Sequence, residues 1–382
     1  MKKNKKKGKS KFQKIVSWIH LWPSLISGII VLFVCLTGTI IVYSDEIMDI
    51  SAGEALYVEP QEKRITQSVI FEQIKNINPN YHISEIVFYK DPARSLRLRV
   101  FDLKERDLFM IYMNPYTGTI LKEDHTLYFF YITAHLHAQL LAGPVGSWIV
   151  IISTIIFLIG CITGLILWWP KKWTKTTRQA SFTVKWKAKF KRLNYDLHNV
   201  LGFYSLPFCI ILSLTGLLIF FHPLMDFTVK VSGGDEVGLQ EVMPKADSTR
   251  ISKNMVDLAY KTIHEEYPDK KAVNIWVYRL DKMGAYLFNS GTPGLKSIEN
   301  VDFTAYNRYT GEKIELAPKH IIHEKTENIV WQLHMGQWWG QIGKLITFIT
   351  GIIATSLAVT GFLIWWGRRN KKKNQKKIIV TQ

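Results

Sequence analysis

Four of the eleven histidines in the chain form two pairs when its halves are aligned with each other. Aligning His20 with His198 superimposes the Leu-Thr-Gly that ends at Gly38 on the Leu-Thr-Gly that ends at Gly216. Close packing of helices does not by itself require a histidine at either position. We call His20 and His198 the first histidine pair.

A second alignment pairs His137 with His334, the second histidine pair. It superimposes Thr163-Gly164 on Thr360-Gly361, and the Trp-Trp that follows in each half also matches. In each pair the two histidines fall at the same depth relative to an apolar segment. Ionisable residues beside such segments generally serve a function.

Imidazole pairs facing each other across a helical bundle suit a b-type haem held by two axial histidines, or a copper or zinc ion. The chain lacks a Cys-x-x-Cys-His motif, so a haem would not be covalently attached. The pattern predicts two haem b groups, one bound by His20 and His198 and the other by His137 and His334. The alternative is that these rings merely occupy membrane interfaces, where an amphipathic side chain is stable.

Two glycines and two further histidines are secondary candidates. Gly38 and Gly216 each follow the first-pair histidine of their own segment by eighteen residues, which is five whole helical turns and about 27 Å. A missing side chain there could admit a porphyrin, or simply allow close helix packing. His135 and His222 have no histidine counterpart, so we expect contacts to a propionate or substrate, or an interfacial role.

The remaining histidines are predicted to lie on the surface of the segments between the apolar runs. His320 and His323 offer at most a weak metal contact, because no third ligand accompanies them. These surface histidines are His82, His125, His264, His320 and His323.

Four uncharged apolar runs must position the paired histidines. Each is long enough to span a bilayer core, which needs about 20 helical residues. The runs cover residues 21–43, 138–169, 199–221 and 345–366.

The formal charge of +18 would suggest a nucleic-acid binder if it were spread over a soluble domain. It is instead concentrated in three short flanks that contain no Asp or Glu: eight Lys before Trp18, nine Lys/Arg between Pro170 and Leu193, and seven after Trp366. Short basic segments stay in the cytoplasm. Both termini and the central loop are therefore predicted to be cytoplasmic, with no nucleic-acid partner and the lipid bilayer as surroundings.

Each half also carries a segment outside the apolar runs with helical and then alternating apolar spacing, typical of an α+β domain. The sequence predicts an α-helical membrane protein with four transmembrane helices as two parallel repeats and two small extracytoplasmic α+β domains. The predicted boundaries are a basic tail 1–17, spans 18–43, 147–169, 197–221 and 343–366, outer domains 44–125 and 222–326, interfacial helices 126–146 and 327–342, a basic loop 170–196 and a basic tail 367–382.

The chain resembles the PepSY-associated transmembrane helix family, which includes bacterial iron-regulated inner-membrane proteins and ferric-siderophore reductases. The resemblance rests on "IHLWPSLISGIIVLFVCLTG", "DLHNVLGFYSLPFCIILSLTG", "LHAQLLAGPVGSW" and "LHMGQWWGQIGK". The turns "NPYTG" and "NRYTG" resemble the ends of PepSY modules. The match covers nearly the whole chain apart from its Lys-rich ends.

The resemblance implies a two-haem electron conduit in the bacterial inner membrane, acting as a haem-dependent reductase of ferric siderophore or another ferric chelate. Its electrons would come from a quinol or a separate reductase, because the cytoplasmic segments are too short to fold around a flavin. Two alternatives remain. The outer domains could be binding or regulatory modules, such as peptidase inhibitors, on a helical scaffold. An ion or iron transporter is also conceivable, although no span carries a central carboxylate.

Overall fold

A computed structural model describes residues 10–380, with side chains up to residue 369. Residues 1–9 of the amino-terminal basic tail lie outside the described residues, and the side chains of residues 370–382 in the carboxyl-terminal basic tail are not described. The chain divides into a helical unit and a sheet unit. The helical unit comprises residues 1–42, 133–220 and 341–382, and the sheet unit comprises residues 43–132 and 221–340.

Four helices of the described residues are long and apolar enough to cross a membrane. They are Lys11–Ile41, Gly143–Trp168, Phe190–Phe220 and Gln337–Arg369. Since an apolar helix satisfies all its backbone hydrogen bonds internally, this composition and length make the chain a multi-pass membrane protein. The four predicted spans are confirmed.

We number the helices in chain order. They are α1 (Lys11–Ile41), α2 (Ser44–Ala52), α3 (Gln67–Ile77), α4 (Thr126–Gln139), α5 (Gly143–Trp168), α6 (Lys175–Phe182), α7 (Phe190–Asp196), α8 (Gly202–Phe220), α9 (His222–Val231), α10 (Met255–Lys261), α11 (Pro318–Met335) and α12 (Gly340–Val380). A π-helical turn, Leu197–Leu201, joins α7 to α8 and makes the third span continuous.

Small residues bring the helices of the helical unit together, as is usual in membranes. Helix α5 packs against both α1 and α8. On α12, Gly351 lies so close to Thr39 of α1 that an added Cβ would overlap the threonine hydroxyl. Leu357 of the same helix packs over Gly202 of α8. The contact between α12 and α1 therefore depends on a glycine at position 351.

The predicted basic loop is folded rather than extended. Asp196 is fully buried and accepts hydrogen bonds from the Arg192 side chain, with Nε at 3.0 Å, and from the backbone N–H of Lys185. Trp168 stacks on Phe203 with ring centroids 3.9 Å apart and is buried.

The sheet unit contains one eight-stranded antiparallel sheet. Its strands are β1 (Tyr81–Tyr89), β2 (Leu96–Asp102), β3 (Asp107–Met113), β4 (Ile120–Asp124), β5 (Ala272–Trp276), β6 (Ala285–Pro293), β7 (Ile298–Asn307) and β8 (Lys313–Ile314). The spatial order is β4-β3-β2-β1-β5-β6-β7-β8. Each half contributes a four-stranded meander, and the two meanders join where β1 pairs with β5.

This sheet differs from the two separate outer domains expected from the sequence. A single apolar core on one face of the sheet includes strands from both halves. Ile70 and Ile74 of α3, from the first half, and Met255 and Ala259 of α10, from the second, belong to it. Joining the meanders removes an exposed edge from each and lets both halves share one core.

The two turns singled out in the sequence have the same conformation. Asn114 and Asn307 each accept hydrogen bonds from the backbone N–H groups two and three residues later. Each turn then ends at a glycine, Gly118 or Gly311, with φ of 75°, a conformation that favours glycine. Both halves therefore have a tight turn at this place, between β3 and β4 in the first and between β7 and β8 in the second.

A buried polar cluster links the two meanders. The Glu85 carboxylate on β1 lies 3.0 Å from the Arg99 guanidinium and accepts a 2.6 Å hydrogen bond from Asn274 on β5. Arg99 also lies over the Trp276 ring, 5.1 Å from its centre. Removing one partner of a buried ion pair leaves an uncompensated charge.

We therefore expect Glu85→Ala to destabilise the sheet unit by about 3 kcal/mol or more, which lowers Tm by roughly 6–12 °C. Thermal unfolding in detergent, followed by far-ultraviolet circular dichroism, measures the shift. Glu105→Ala is the control, since its pair with Lys104 is exposed, and it should cost less than about 0.5 kcal/mol. Equal shifts in both variants would contradict a linking role for Glu85.

Candidate functional site

The first histidine pair comes together inside the helical unit. His20 lies on α1, three residues before Pro23, and His198 lies in the π-helical turn before α8. Their ring centroids are 6.4 Å apart, with 76° between the ring planes. Single π-turns inside α-helices are frequent at functional sites, because the extra residue redirects the side chains beside it.

A threonine on a neighbouring helix holds each ring of this pair. His20 Nδ1 lies 3.1 Å from Thr163 Oγ1 and 3.1 Å from the Gly160 carbonyl oxygen, both on α5. His198 Nδ1 lies 3.0 Å from Thr360 Oγ1 on α12. The two halves therefore present their histidines in the same way.

The glycine after each threonine makes room for the ring. A Cβ at Gly164 would lie 3.2 Å from His20 Cε1, and a Cβ at Gly361 would lie 3.2 Å from His198 Cε1. Such a contact is tighter than a typical van der Waals approach, so any larger residue would push the imidazole. Each Thr-Gly pair thus fixes one ring by a hydrogen bond and by shape.

These contacts assign the tautomer of both histidines. The Gly160 carbonyl can only accept, so His20 Nδ1 carries the proton. The Thr360 hydroxyl donates to the Ser356 carbonyl oxygen at 2.8 Å, which leaves its lone pair to accept from His198 Nδ1. In a neutral imidazole the other nitrogen is then unprotonated. Nε2 of both rings is therefore available to bind a metal.

Both rings line a cavity of about 580 Å³ within the helical unit. The volume falls in the range typical of cofactor pockets. Leu25 and Leu206 contribute apolar walls and Arg368 a cationic group. Gly28 also lines it, and a Cβ there would meet nothing within 4 Å. The cavity therefore suits a flat apolar ligand that carries an anionic group.

The geometry fits a haem better than a bare metal ion. Two metal–nitrogen bonds of about 2.0 Å, each followed by about 1 Å to the ring centre, separate two imidazole centres by roughly 6 Å. The observed separation is 6.4 Å, and rotation about a shared axis accommodates the 76° between the planes. Among the side chains described, no group of three or more His, Cys, Asp or Glu is placed to hold a metal ion. Structural zinc would need four such ligands.

His137 of the second pair is held in a similar way by the first span. Its Nδ1 lies 2.8 Å from the Val34 carbonyl oxygen and 3.4 Å from Thr37 Oγ1. A Cβ at Gly38 would lie 2.8 Å from His137 Cε1. The space at Gly38, which the sequence suggested might admit a porphyrin, is thus taken up by the His137 ring itself.

The other candidates lie on α4, α8, α9 and α11. His334 lies on α11, in the sheet unit, and Gly216 lies on α8. His135 is half-buried on α4, and His222 is exposed at the start of α9. Gln332, the counterpart of His135, is buried and donates to the Ile298 carbonyl oxygen at 2.8 Å.

Two histidines predicted to be surface residues are not. His320 is buried, and its Nδ1 lies 2.7 Å from the Val237 carbonyl oxygen. His323 is half-buried and holds the Asp235 carbonyl oxygen at 2.7 Å. Beside them, burial raises the pKa of Glu324. His82, His125 and His264 are exposed, as predicted.

Sequence reasoning missed the residues that position the rings. Thr163-Gly164 and Thr360-Gly361 stood out in the repeat but received no role, and Gly28 was not noticed. The available signal was that each of the four spans carries a Thr-Gly pair, with a second one in the fourth span at Thr350-Gly351.

Comparison with known families places the chain. The family model described as PepSY-associated TM region matches residues 17–368. The chain belongs to this family. No curated protein sequence matches it significantly. In this PepSY-associated protein the matched region contains both histidine pairs and the two Thr-Gly pairs that hold the first of them.

Proposed function

We propose that the chain is a haem-dependent electron carrier of the bacterial inner membrane that reduces ferric siderophore, or another ferric chelate, on the outer side. The observation that carries the proposal is the neighbouring pair His20 and His198, 6.4 Å apart at their ring centres. Both are held with Nε2 free for a metal, and both line one cavity.

In this proposal Nε2 of His20 and Nε2 of His198 are the axial ligands of one haem b. Held by these two residues, a haem would supply one-electron transfer. Leu25 and Leu206, which line the cavity, would exclude water from it, and Arg368 would supply a cationic group for a propionate. Gly28 leaves space for the flat ring.

We assign a second haem b to His137 and His334. The support is the sequence repeat that pairs them, together with the hydrogen bonds that fix His137 as an Nδ1–H tautomer. His135 lies two residues away and is given no axial role, because its counterpart Gln332 serves a structural hydrogen bond. His222 is likewise given none.

We place both termini and the basic loop in the cytoplasm, because short loops rich in Lys and Arg stay inside. The sheet unit then lies on the outer side. A reporter that works only outside the cytoplasm should be active when fused at residue 100 or residue 280. A reporter that works only in the cytoplasm should be active when fused at residue 180. A cytoplasmic reporter active at residue 280 would contradict this orientation.

The chemistry of iron explains why electron transfer would release it from a siderophore. Hard oxygen ligands that hold Fe(III) tightly bind the softer Fe(II) weakly. One electron delivered to the bound Fe(III) therefore weakens the complex. The electron comes from a quinol or a separate reductase, because the described cytoplasmic elements are only short helices and loops.

Vesicles containing the purified, haem-loaded protein test this function. With dithionite trapped inside and a ferric hydroxamate chelate outside, together with an Fe(II)-specific dye, we expect the coloured Fe(II) complex to form faster than in protein-free vesicles. If haem-containing protein gives the same rate as protein-free vesicles, the proposed reduction of ferric chelates is wrong. The protein would then be a haem protein that passes its electrons to another acceptor.

A further inference from the structure

We infer that Thr163 and Thr360 are positioning residues that set the reduction potential of the haem between His20 and His198. The inference rests on the proposed function, because it assigns a role towards the haem of that proposal. It starts from two contacts made by equivalent residues of the two halves, at 3.1 Å for Thr163 and 3.0 Å for Thr360.

The direction of each hydrogen bond follows from the threonine's own environment. Thr163 donates its hydroxyl to the Ile159 carbonyl at 2.7 Å, and Thr360 donates to the Ser356 carbonyl at 2.8 Å. A hydroxyl has one proton to donate. Since that proton is used within the helix, each threonine oxygen can only accept from the Nδ1–H of the histidine. His20 shares this N–H between Thr163 and the Gly160 carbonyl, and His198 shares it between Thr360 and the Leu357 carbonyl.

When the threonine oxygen accepts this hydrogen bond, Nε2 of the same ring becomes a stronger electron-pair donor to a metal. A more basic axial imidazole stabilises Fe(III) relative to Fe(II), which lowers the reduction potential. The threonine also fixes the ring orientation, with the glycine beside it limiting movement. Removing the oxygen should therefore raise the potential and weaken haem binding, while leaving the helix intact.

The chain offers matched controls in the same helices. Thr154 on α5 and Thr355 on α12 make the same hydroxyl bond to the carbonyl four residues earlier, each at 2.8 Å. Neither makes a hydrogen bond to a described histidine side chain. Replacing them by valine removes the same atom from the same helices without touching a ligand.

The first test measures potential and haem retention in the purified holoprotein. Thr163→Val and Thr360→Val should each shift the midpoint of one haem to a more positive potential and lower haem affinity about tenfold or more. Thr163→Ser should restore both values, and Thr154→Val and Thr355→Val should match the wild type. Midpoints and retention equal to those of the controls would overturn the inference.

A second test separates this inference from the proposed function. In haem-free protein with ¹⁵N-labelled histidine, magnetic resonance should show His20 and His198 protonated at Nδ1. In the Thr360→Val variant, the Nδ1-protonated fraction of His198 should be lower. If no haem ever binds, this signal still decides whether the threonines hold the tautomer. A wild-type spectrum with protonated Nε2 would overturn the inference whatever the haem content.

Discussion

Replacing His20 or His198 by alanine is expected to remove about half of the bound haem. The two rings line one cavity at 6.4 Å between centres, so neither histidine alone supplies both axial ligands. The pair should therefore be lost as a unit, with either single variant giving the same loss. Haem extracted with acidified acetone and compared with protein concentration measures it.

The remaining haem should still be reducible by dithionite in these variants, because the second histidine pair is untouched. His264→Ala is the control, since that ring is exposed on the sheet unit, and it should keep full haem content. If His20→Ala removes haem and His198→Ala does not, the two rings do not share a haem and the assignment of the first pair is wrong.

The second large effect is expected at His137. His137→Ala should remove the other half of the haem and reduce the rate of external ferric-chelate reduction by at least about 100-fold, because the electron path then lacks its last centre. His334→Ala should have the same effect. The vesicle assay with trapped dithionite measures the rate.

His135→Ala is the matched variant for this experiment, because it lies on the same helix two residues from His137. It should be milder, keeping most of the haem and most of the rate. If His135→Ala abolishes the second haem and His137→Ala spares it, the sequence alignment is wrong at that site. The proposal of two haems would still hold after that result, with His135 in place of His137 as the ligand.

The sequence predicted the spans because hydropathy over about 20 residues depends only on local composition. It also predicted the equivalence of His20 and His198, and the structure brings those rings together. The identical turns at Asn114 and Asn307 were predictable for the same reason, since a turn that ends in glycine is a local feature.

What the sequence did not predict depends on contacts between distant segments. The pairing of β1 with β5 joins strands almost 190 residues apart, and neither strand shows from its own pattern that its partner lies in the other half. The burial of His320 depends on the loop carbonyl of Val237 that packs on it. Likewise, Thr163 could be recognised as a partner of His20 only after α1 and α5 were packed together.

The most direct test of the central claim is the haem content and visible spectrum of the protein purified from haem-replete cells. The account predicts about two b-type haems per chain, with sharp low-spin bands on reduction, as two imidazole ligands produce. Purified, folded protein that shows no Soret band under these conditions would contradict it.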